Sequence, residues 1–407
     1  MDMILWLLPY APIFLFVISL VITVHELGHY WVGRFFGAAA ESFAVGFGKS
    51  IFEVKDKRGT RWRINWIPLG GFVKFVGEAQ LPADTREPAP VEVATSHDPK
   101  QAAGDQTLHE GRILVGKPFM ALGPWPRIAI ALGGPFANFI FAIGAFAIFG
   151  FANGVPQSNE VYIERVEAGG AAEKAGFAAG DVVVEAAGRK VSVSSDVTLA
   201  TQLNSGEPVT YQVLRNGQQL SLVATPVEFE VVDKDLRMKQ KVGRVGLVLA
   251  SRDTQWRSLN PFEAVVYGAQ KTTDTVGQTL NVLRRLLTGK EGIDKLSGPV
   301  GILHLTSGVT QMTLGQPGAD LGKKMADLFW MLLMLAATLS VGIGFFNLLP
   351  IPVLDGGAVV MTLGEAATGK PLPERLQNLG LTIGLVCLVG FALLITLQDF
   401  FRFDGGS

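Results

Sequence analysis

The sequence predicts a polytopic α-helical membrane protein with about four transmembrane helices, a membrane-associated β element and one β-rich soluble domain. Three observations lead there. Of 407 residues, 48% are apolar and only 17% charged, with a mean hydropathy of +0.33; soluble domains carry roughly 25% charged residues. Four apolar runs each reach the ~20 residues that a bilayer core requires. Between them lie stretches that alternate every second residue and are punctuated by turn residues.

Residues 1–36 hold the first span, expected at about 4–35, with Pro9 and Pro12 early and Gly37 as its C-terminal stop. It reads as a retained helix rather than a cleaved signal. No basic region precedes it, the run is long, and the "AAA" at 38–40 follows only after a polar interruption. Residues 37–79 read as strands: "RWRINW" alternates, placing Trp62, Ile64 and Trp66 on one face, and "KDKRGT" turns around Gly59. This small sheet is apolar enough to lie in the membrane surface or dip into it. Residues 80–126 form a loop, whose stretch 80–118 shows no period and reads as flexible, with His97 and His109 solvated.

The second span is expected at 127–150 and a β-rich domain at 155–255. In that domain a short helix, a turn at Gly180–Asp181, a strand and a turn at Gly188 precede two strands joined at Asn216–Gly217, a strong hairpin signal. Over 260–326 come an amphipathic helix and a connector. Phe262, Val265, Ala269, Val276, Leu280, Leu283 and Leu287 share a face of the helix at 261–287, and Lys271, Asp274, Gln278, Arg284 and Arg285 lie off it. That face either rests on the outer membrane surface or covers the core. The third span is expected at 327–349, a "LDGG" segment and loop at 350–377, and the fourth span at 378–398.

Basic residues near the spans set the orientation. Lys49, Lys55, Lys57, Arg58 and Arg61 follow the first span, whereas residues 151–170 hold only Arg165 beside Glu160, Glu164 and Glu167. The first loop is therefore expected in the cytoplasm, and the N-terminus and residues 151–326 outside; Lys323 and Lys324 run against the bias without reversing it. A net charge of −1 and the lack of a basic stripe exclude a nucleic-acid partner. The single cysteine, Cys387, makes neither a disulfide nor a cysteine-based zinc site, and is expected as a small buried hydrophobe.

The chemistry lies in "ITVHELGHYW", 22–31. Residues four apart share a helix face, so His25 and His29 present two imidazoles together with Glu26 beside them. This is the zinc hydrolase pattern, two ligands and a general base. Ionisable groups within a span are rare and functional by default. A catalytic zinc needs a third protein ligand and an open position. The best donor is Asp355 in "NLLPIPVLDGG", 347–357, expected on unwound backbone after Pro350 and Pro352 stop the third span, ahead of a helix at 357–366. Both features reach the cytoplasmic end.

With these motifs in view, the chain resembles the site-2 protease family of intramembrane zinc metalloproteases, most closely the bacterial RseP type. "HELGH", "GFG", "IPLGGFVKFVGE", "GGPFANF", "LSGPVGI" and "NLLPIPVLDGG" fall in order along nearly the whole length. Residues 155–255 resemble an extracytoplasmic PDZ domain through AG-F-x-x-GD-V-V-x-x-x-x-G, with "VGRVGLVL", 242–249, as the extra strand of the circularly permuted form. The resemblance implies that His25, His29 and Asp355 bind Zn2+ and that Glu26 is catalytic. It implies substrate handling by Asn347 and Pro350 and strand pairing with substrate at Gly71, Phe72 and Val73. Asn138 matches the asparagine of the family's G-P-x-x-N motif, with a structural or conformational role. Enterobacterial relatives carry two tandem PDZ domains and many members a larger polar residue at Ala358, so this chain departs at both points.

The implied function is regulated intramembrane proteolysis in the bacterial inner membrane. Its partners would be single-span substrates such as anti-sigma factors or remnant signal peptides, a peptide ligand at the PDZ domain, and the lipid bilayer. The physics agrees, because a cleavable helix must unwind and its freed backbone must find partners, which a strand edge supplies. The competing class is a non-catalytic PDZ-bearing scaffold or chaperone, which would not depend on Glu26. A zinc carrier would need repeats and midplane ligands that the sequence lacks.

Overall fold

The computed structural model describes residues 7–78, 91–94, 106–109, 112–233, 238–293, 296–370 and 373–404. It divides into two compact units, Met1–Ala145 with Val309–Leu394, and Phe146–Gly308 with Ile395–Ser407. Among the described residues, four helices are long and apolar enough to cross a membrane: Leu8–Phe35, Pro124–Asn153, Leu321–Asn347 and Arg375–Phe400.

The chain opens with α1 (Ala11–Phe35), which stops where Gly37 takes φ +79 and Ala38 N–H reaches back to Gly33 O. Strands β1 (Ala40–Lys55) and β2 (Arg61–Phe75) follow. They turn where Asp56 Oδ1 accepts the N–H groups of Arg58 and Thr60, and Gly59 takes φ +89. Both strands shift register, so residues 42–45 pair with 71–74 on one side and with 61–64 on the other, while 50–55 pair with 61–65. The outer segments of the sheet are thus 71–75 and 50–55. Buried Glu41 binds Arg61 and Lys74, joining the middle of the sheet to its outer segment. Trp62 packs on Tyr30 and Phe43, ring centroids 5.0 and 4.6 Å away. Ile64 and Trp66, expected on the same face, are 52% and 68% exposed, because the sheet runs beyond the helix that covers its base.

The loop expected over 80–118 lies largely outside the described residues, as does His97. Its described parts correct the reading of a stretch without structure: β3 (Val91–Ala94), β4 (Gln106–His109) and β5 (Arg112–Val115) form a three-stranded sheet, and His109 pairs with Val91 and Arg112. Alternation over four residues is too short a signal to stand out from polar surroundings.

Helix α2 (Pro124–Asn153) crosses α1 at a glycine contact. A Cβ on Gly28 would stand 2.2 Å from Gly133 O, so the two backbones touch and any side chain would separate them.

The second unit is built on a sheet. After β6 (Val155–Gln157) come β7 (Glu160–Val166), α3 (Ala171–Lys174), β8 (Val182–Ala186), β9 (Arg189–Lys190), α4 (Ser194–Gln202), β10 (Val209–Arg215) and β11 (Gln218–Ala224). Then β12 (Val227–Asp233), β13 (Met238–Arg244), β14 (Leu247–Arg252) and β15 (Gln255–Arg257) complete the strands. The sheet order is β11-β10-β8-β7-β14, with β9 on β8. Ile163, Val183, Val197, Tyr211 and Val213 fill its core. Asn216 and Gly217 take φ +52 and +80, which suits a two-residue hairpin turn.

Helix α5 (Pro261–Leu287) begins with a capping box: Asn260 Oδ1 accepts Glu263 N–H and Glu263 Oε2 accepts Asn260 N–H, both at 2.9 Å; such a cap is worth about 1 kcal/mol. Its C-terminal half docks on the sheet domain through polar groups. Arg285, 1% exposed, donates to Ser205 O and pairs with Glu291 and Glu207, and Asn281 Nδ2 donates to Leu203 O. Phe262 and Leu287, on the expected apolar face, stay 78% exposed. That face does not cover the domain core; the polar face makes the contact.

A connector was expected next, but the structure has a helix, α6 (Pro299–Leu314). Its buried side chains beyond glycine are Thr306, Ser307, Thr310 and Thr313 with His304, a polar row that gives no apolar stripe to read. Next follow α7 (Leu321–Asn347), α8 (Asp355–Thr368) and α9 (Glu374–Asp404). Asp399 Oδ2 accepts the N–H groups of Gly298 and Gly301, which accounts for the glycines of "LSGPVGI" as the start of α6. Cys387, expected buried, is exposed on α9, whose apolar residues face outward as lipid-facing side chains do.

Candidate metal centre

One turn of α1 separates His25 from His29, and both are buried, 7% and 8% exposed. Their Nε2 atoms point at one place, 3.1 Å apart. Asp355 completes the group: Oδ2 lies 3.1 Å from His25 Nε2 and Oδ1 lies 3.4 Å from His29 Nε2.

Asp355 reaches this point because α7 ends at Asn347 and the chain reverses before α8. Helix α7 is held to α1 by Val17, Val21 and Ala336, with Leu332, Leu339 and Ile343 around them. Asp355 is the first residue of α8, which corrects the expectation of unwound backbone; two glycines make this possible. A Cβ on Gly356 would lie 2.3 Å from Leu348 O, and one on Gly357 2.1 Å from Ile351 O, so only "DGG" lets the first turn press on the reversing chain. Arg127 at the start of α2 pairs with Glu365 of α8 at 2.8 Å, both nearly buried. This fixes α8 from the other end.

The outer nitrogens of the imidazoles are also engaged. His29 Nδ1 is 2.7 Å from Ile130 O. A carbonyl can only accept, so Nδ1 carries the proton and Nε2 offers its lone pair. His25 Nδ1 is 3.2 Å from Asn138 Nδ2, and Asn138 is fully buried. Gly134 leaves room for the group: a Cβ there would stand 2.3 Å from His29 Nε2 and 2.7 Å from His25 Nε2.

Glu26 faces the outer strand segment, and its Oε2 accepts Val73 N–H at 3.0 Å. Two residues on, Phe75 N–H is accepted by Glu78 Oε2 at 3.1 Å. Burial raises the Glu78 carboxyl to about 7, against the lowering effect of that N–H. Gly71 lies against the same glutamate, since a Cβ on it would be 3.4 Å from Glu26 Cγ and 2.8 Å from Ala44 O. Phe72 stacks on Phe47, centroids 6.3 Å apart.

The structure therefore brings together His25, His29, Asp355, Glu26, Asn138 and the segment Gly71–Val73. Asn347 ends α7 and Pro350 lies in the reversal; no hydrogen bond links either to the group among the described residues. Sequence reasoning missed the Ile130 carbonyl, Gly134, Glu78 and the Arg127–Glu365 pair. Gly134 had a visible signal in the glycine pair inside an apolar span, and Glu78 in its place at the end of "IPLGGFVKFVGE".

Two imidazole nitrogens and one carboxylate oxygen, all within 4.8 Å of one another, are the donor set of a catalytic zinc with one position open to substrate or water. The space kept by Gly134 fits the same reading.

Comparison with known proteins agrees with this geometry. The model of peptidase family M50 matches residues 13–391. Metalloprotease MmpA of Caulobacter vibrioides is 37% identical over 391 residues, covering 96% of this chain and 95% of that protein. A putative zinc metalloprotease of Agrobacterium fabrum is 34% identical over 96% of this chain and 95% of its own length. A third, from Mesorhizobium japonicum, is 35% identical over 93% and 95%.

Proposed function

The chain belongs to peptidase family M50, the site-2 proteases, and from that membership we propose that it cuts single-span membrane proteins within the bacterial inner membrane after an outer domain has been removed. It is a membrane-bound metalloendopeptidase whose cofactor is zinc. The observation that carries the proposal is the convergence of His25, His29 and Asp355 within 4.8 Å, with Glu26 on the same helix and a strand edge beside it.

His25 and His29 through Nε2 and Asp355 through a carboxylate oxygen would hold the ion. When bound, zinc polarises a carbonyl oxygen and acidifies water. Glu26 takes the proton from the attacking water and delivers it to the leaving amine, which its place one residue after His25 allows. A substrate unwound into a strand pairs with Gly71–Val73, which presents the scissile bond beside Glu26, and Asn347 and Pro350, at the end of α7 and in the reversal after it, handle the substrate in this reading. The site lies at the cytoplasmic end of α1, followed by Lys49, Lys55, Lys57 and Arg58.

The sheet domain of residues 155–255 acts outside the membrane as a PDZ-like filter. A cleft of about 520 Å³ between α4 and the edge strand β14, lined by Val197, Thr201, Gly246 and Leu247, supports this reading because an extended peptide adds to such an edge. Substrates in this reading are anti-sigma factors, other tethered regulators or remnant signal peptides.

Glu26→Gln tests the function. With a tagged single-span substrate lacking its outer domain, the variant should bind zinc like the wild type and cut roughly 10²–10⁴-fold more slowly. Unchanged cleavage would overturn the assignment, and unchanged function in a binding assay alone would favour a scaffold.

A further inference from the structure

The two histidines are held differently from behind. The Ile130 carbonyl admits one tautomer of His29, with the proton on Nδ1. His25 has an amide in the same place, and an amide can either donate or accept. Asn138 is completely buried, its Nδ2 lies 3.2 Å from His25 Nδ1, and its Oδ1 is buried with no hydrogen-bond partner among the described residues. Its backbone is fixed: Asn138 O accepts the Ser340 hydroxyl at 3.1 Å, and Gly344 approaches so closely that a Cβ there would meet Asn138 Cβ at 3.1 Å. What stays free is the choice of which amide end meets the imidazole.

That choice is tied to the metal. A neutral imidazole carries one proton. If Asn138 Nδ2 donates to His25 Nδ1, the proton sits on Nε2, pointing to Asp355 Oδ2 at 3.1 Å, and Nε2 has no lone pair to give a metal. If Nε2 binds zinc, the proton must sit on Nδ1 and needs an acceptor, which among the described residues Asn138 supplies through Oδ1. The amide ends are nearly equal in size, so a half-turn exchanges them in place. Each orientation leaves one end without a partner, so the imidazole proton decides between them.

We propose that Asn138 is the positioning residue of His25: its Oδ1 accepts His25 Nδ1–H and holds the ring in the tautomer that offers Nε2 to zinc. The inference rests on the zinc reading of the site. Hydrogen bonds to the outer nitrogen of a ligating histidine fix ring orientation and raise ligand basicity, and their loss typically weakens metal binding 10–100-fold.

The test is zinc affinity, measured by chelator competition on the full-length protein in detergent, for the wild type, Asn138→Leu and Asn138→Asp. Leucine fills the space without an acceptor and should weaken zinc roughly 10–100-fold. Aspartate can only accept, and should restore affinity close to the wild type. Wild-type affinity in N138L, or equal loss in N138L and N138D with unchanged melting of the metal-free proteins, would overturn the proposal. Should a variant fail to fold, nitrogen-15 NMR of histidine-labelled, zinc-loaded wild type decides. A protonated Nδ1 on His25 supports the assignment and a protonated Nε2 refutes it. A wild type that binds no zinc would overturn the metal reading too; one that binds zinc as well as N138L does would remove only Asn138.

Discussion

Gly134→Ala adds one methyl group and should remove the metal while leaving the helix intact. A Cβ at this position would stand 2.3 Å from His29 Nε2 and 2.7 Å from both Cε1 and Nε2 of His25. Non-bonded heavy atoms rest at about 3.5–4.0 Å, so the ligating nitrogens must retreat by roughly 1 Å. Metal–ligand distances tolerate only about ±0.2 Å. Losing even an indirect support of a ligand costs 10–100-fold in affinity, and moving both imidazoles should cost about 100-fold or more. Helix propensity runs the other way, since alanine is favoured over glycine inside a helix by ~1 kcal/mol, and Gly134 lies inside α2. The expected result is a metal-free protein that melts near the wild-type temperature and retains no zinc after gel filtration against a chelator, with cleavage lost in parallel. One zinc per chain at wild-type affinity in G134A would refute the placement of the ligands.

Asp355→Ala should abolish zinc binding, since two imidazoles alone remain; metal analysis showing a full complement would refute the third ligand. Arg285→Met leaves the Glu207 and Glu291 carboxylates and the Ser205 carbonyl without their buried partner and should destabilise the second unit by about 3–5 kcal/mol in chemical unfolding, whereas a change below ~1 kcal/mol would contradict it. Glu207 is held down to about 2 by hydrogen bonds from Lys290 and Arg284, so its stabilisation is full above the ordinary 4.5 and is lost as pH falls through 4.5 toward 2. Glu207→Gln should therefore lower the melting temperature at pH 7 and converge with the wild type across that acid window, and a constant offset would refute the ion pairs as its source.

The four spans were legible because the bilayer demands length and apolarity, and both are written in the linear chain. The His25–His29 pair was legible because helix period alone brings the two rings together. Asp355 could be selected because a metal with two ligands needs a third, but its place at the head of α8 could not, since that depends on Gly356 and Gly357 pressing against carbonyls that exist only once the chain reverses. Helix α6 was missed because it buries Thr306, Ser307, Thr310 and Thr313, residues that a periodicity argument assigns to solvent. The apolar face of α5 was read correctly as a face but left undecided as to what it meets, and the contact with the sheet domain turned out to run through Asn281, Arg284 and Arg285 instead. Tertiary partners such as Ile130 O for His29 leave no mark in the sequence at all, because every residue has a carbonyl.

The outer segment of the small sheet carries one last consequence. An open strand edge invites pairing with any extended chain, and in a crowded membrane that invitation leads to aggregation. Here Val73 N–H and Phe75 N–H are already satisfied by the carboxylates of Glu26 and Glu78. An incoming strand therefore gains nothing merely by finding the edge; it must exchange hydrogen bonds one for one, at close to zero net benefit. Loose chains are turned away by this parity, and a chain that stays must bring side-chain contacts of its own. The same exchange releases Glu26 from the backbone, so the edge that admits a strand and the carboxylate beside it change state in a single event.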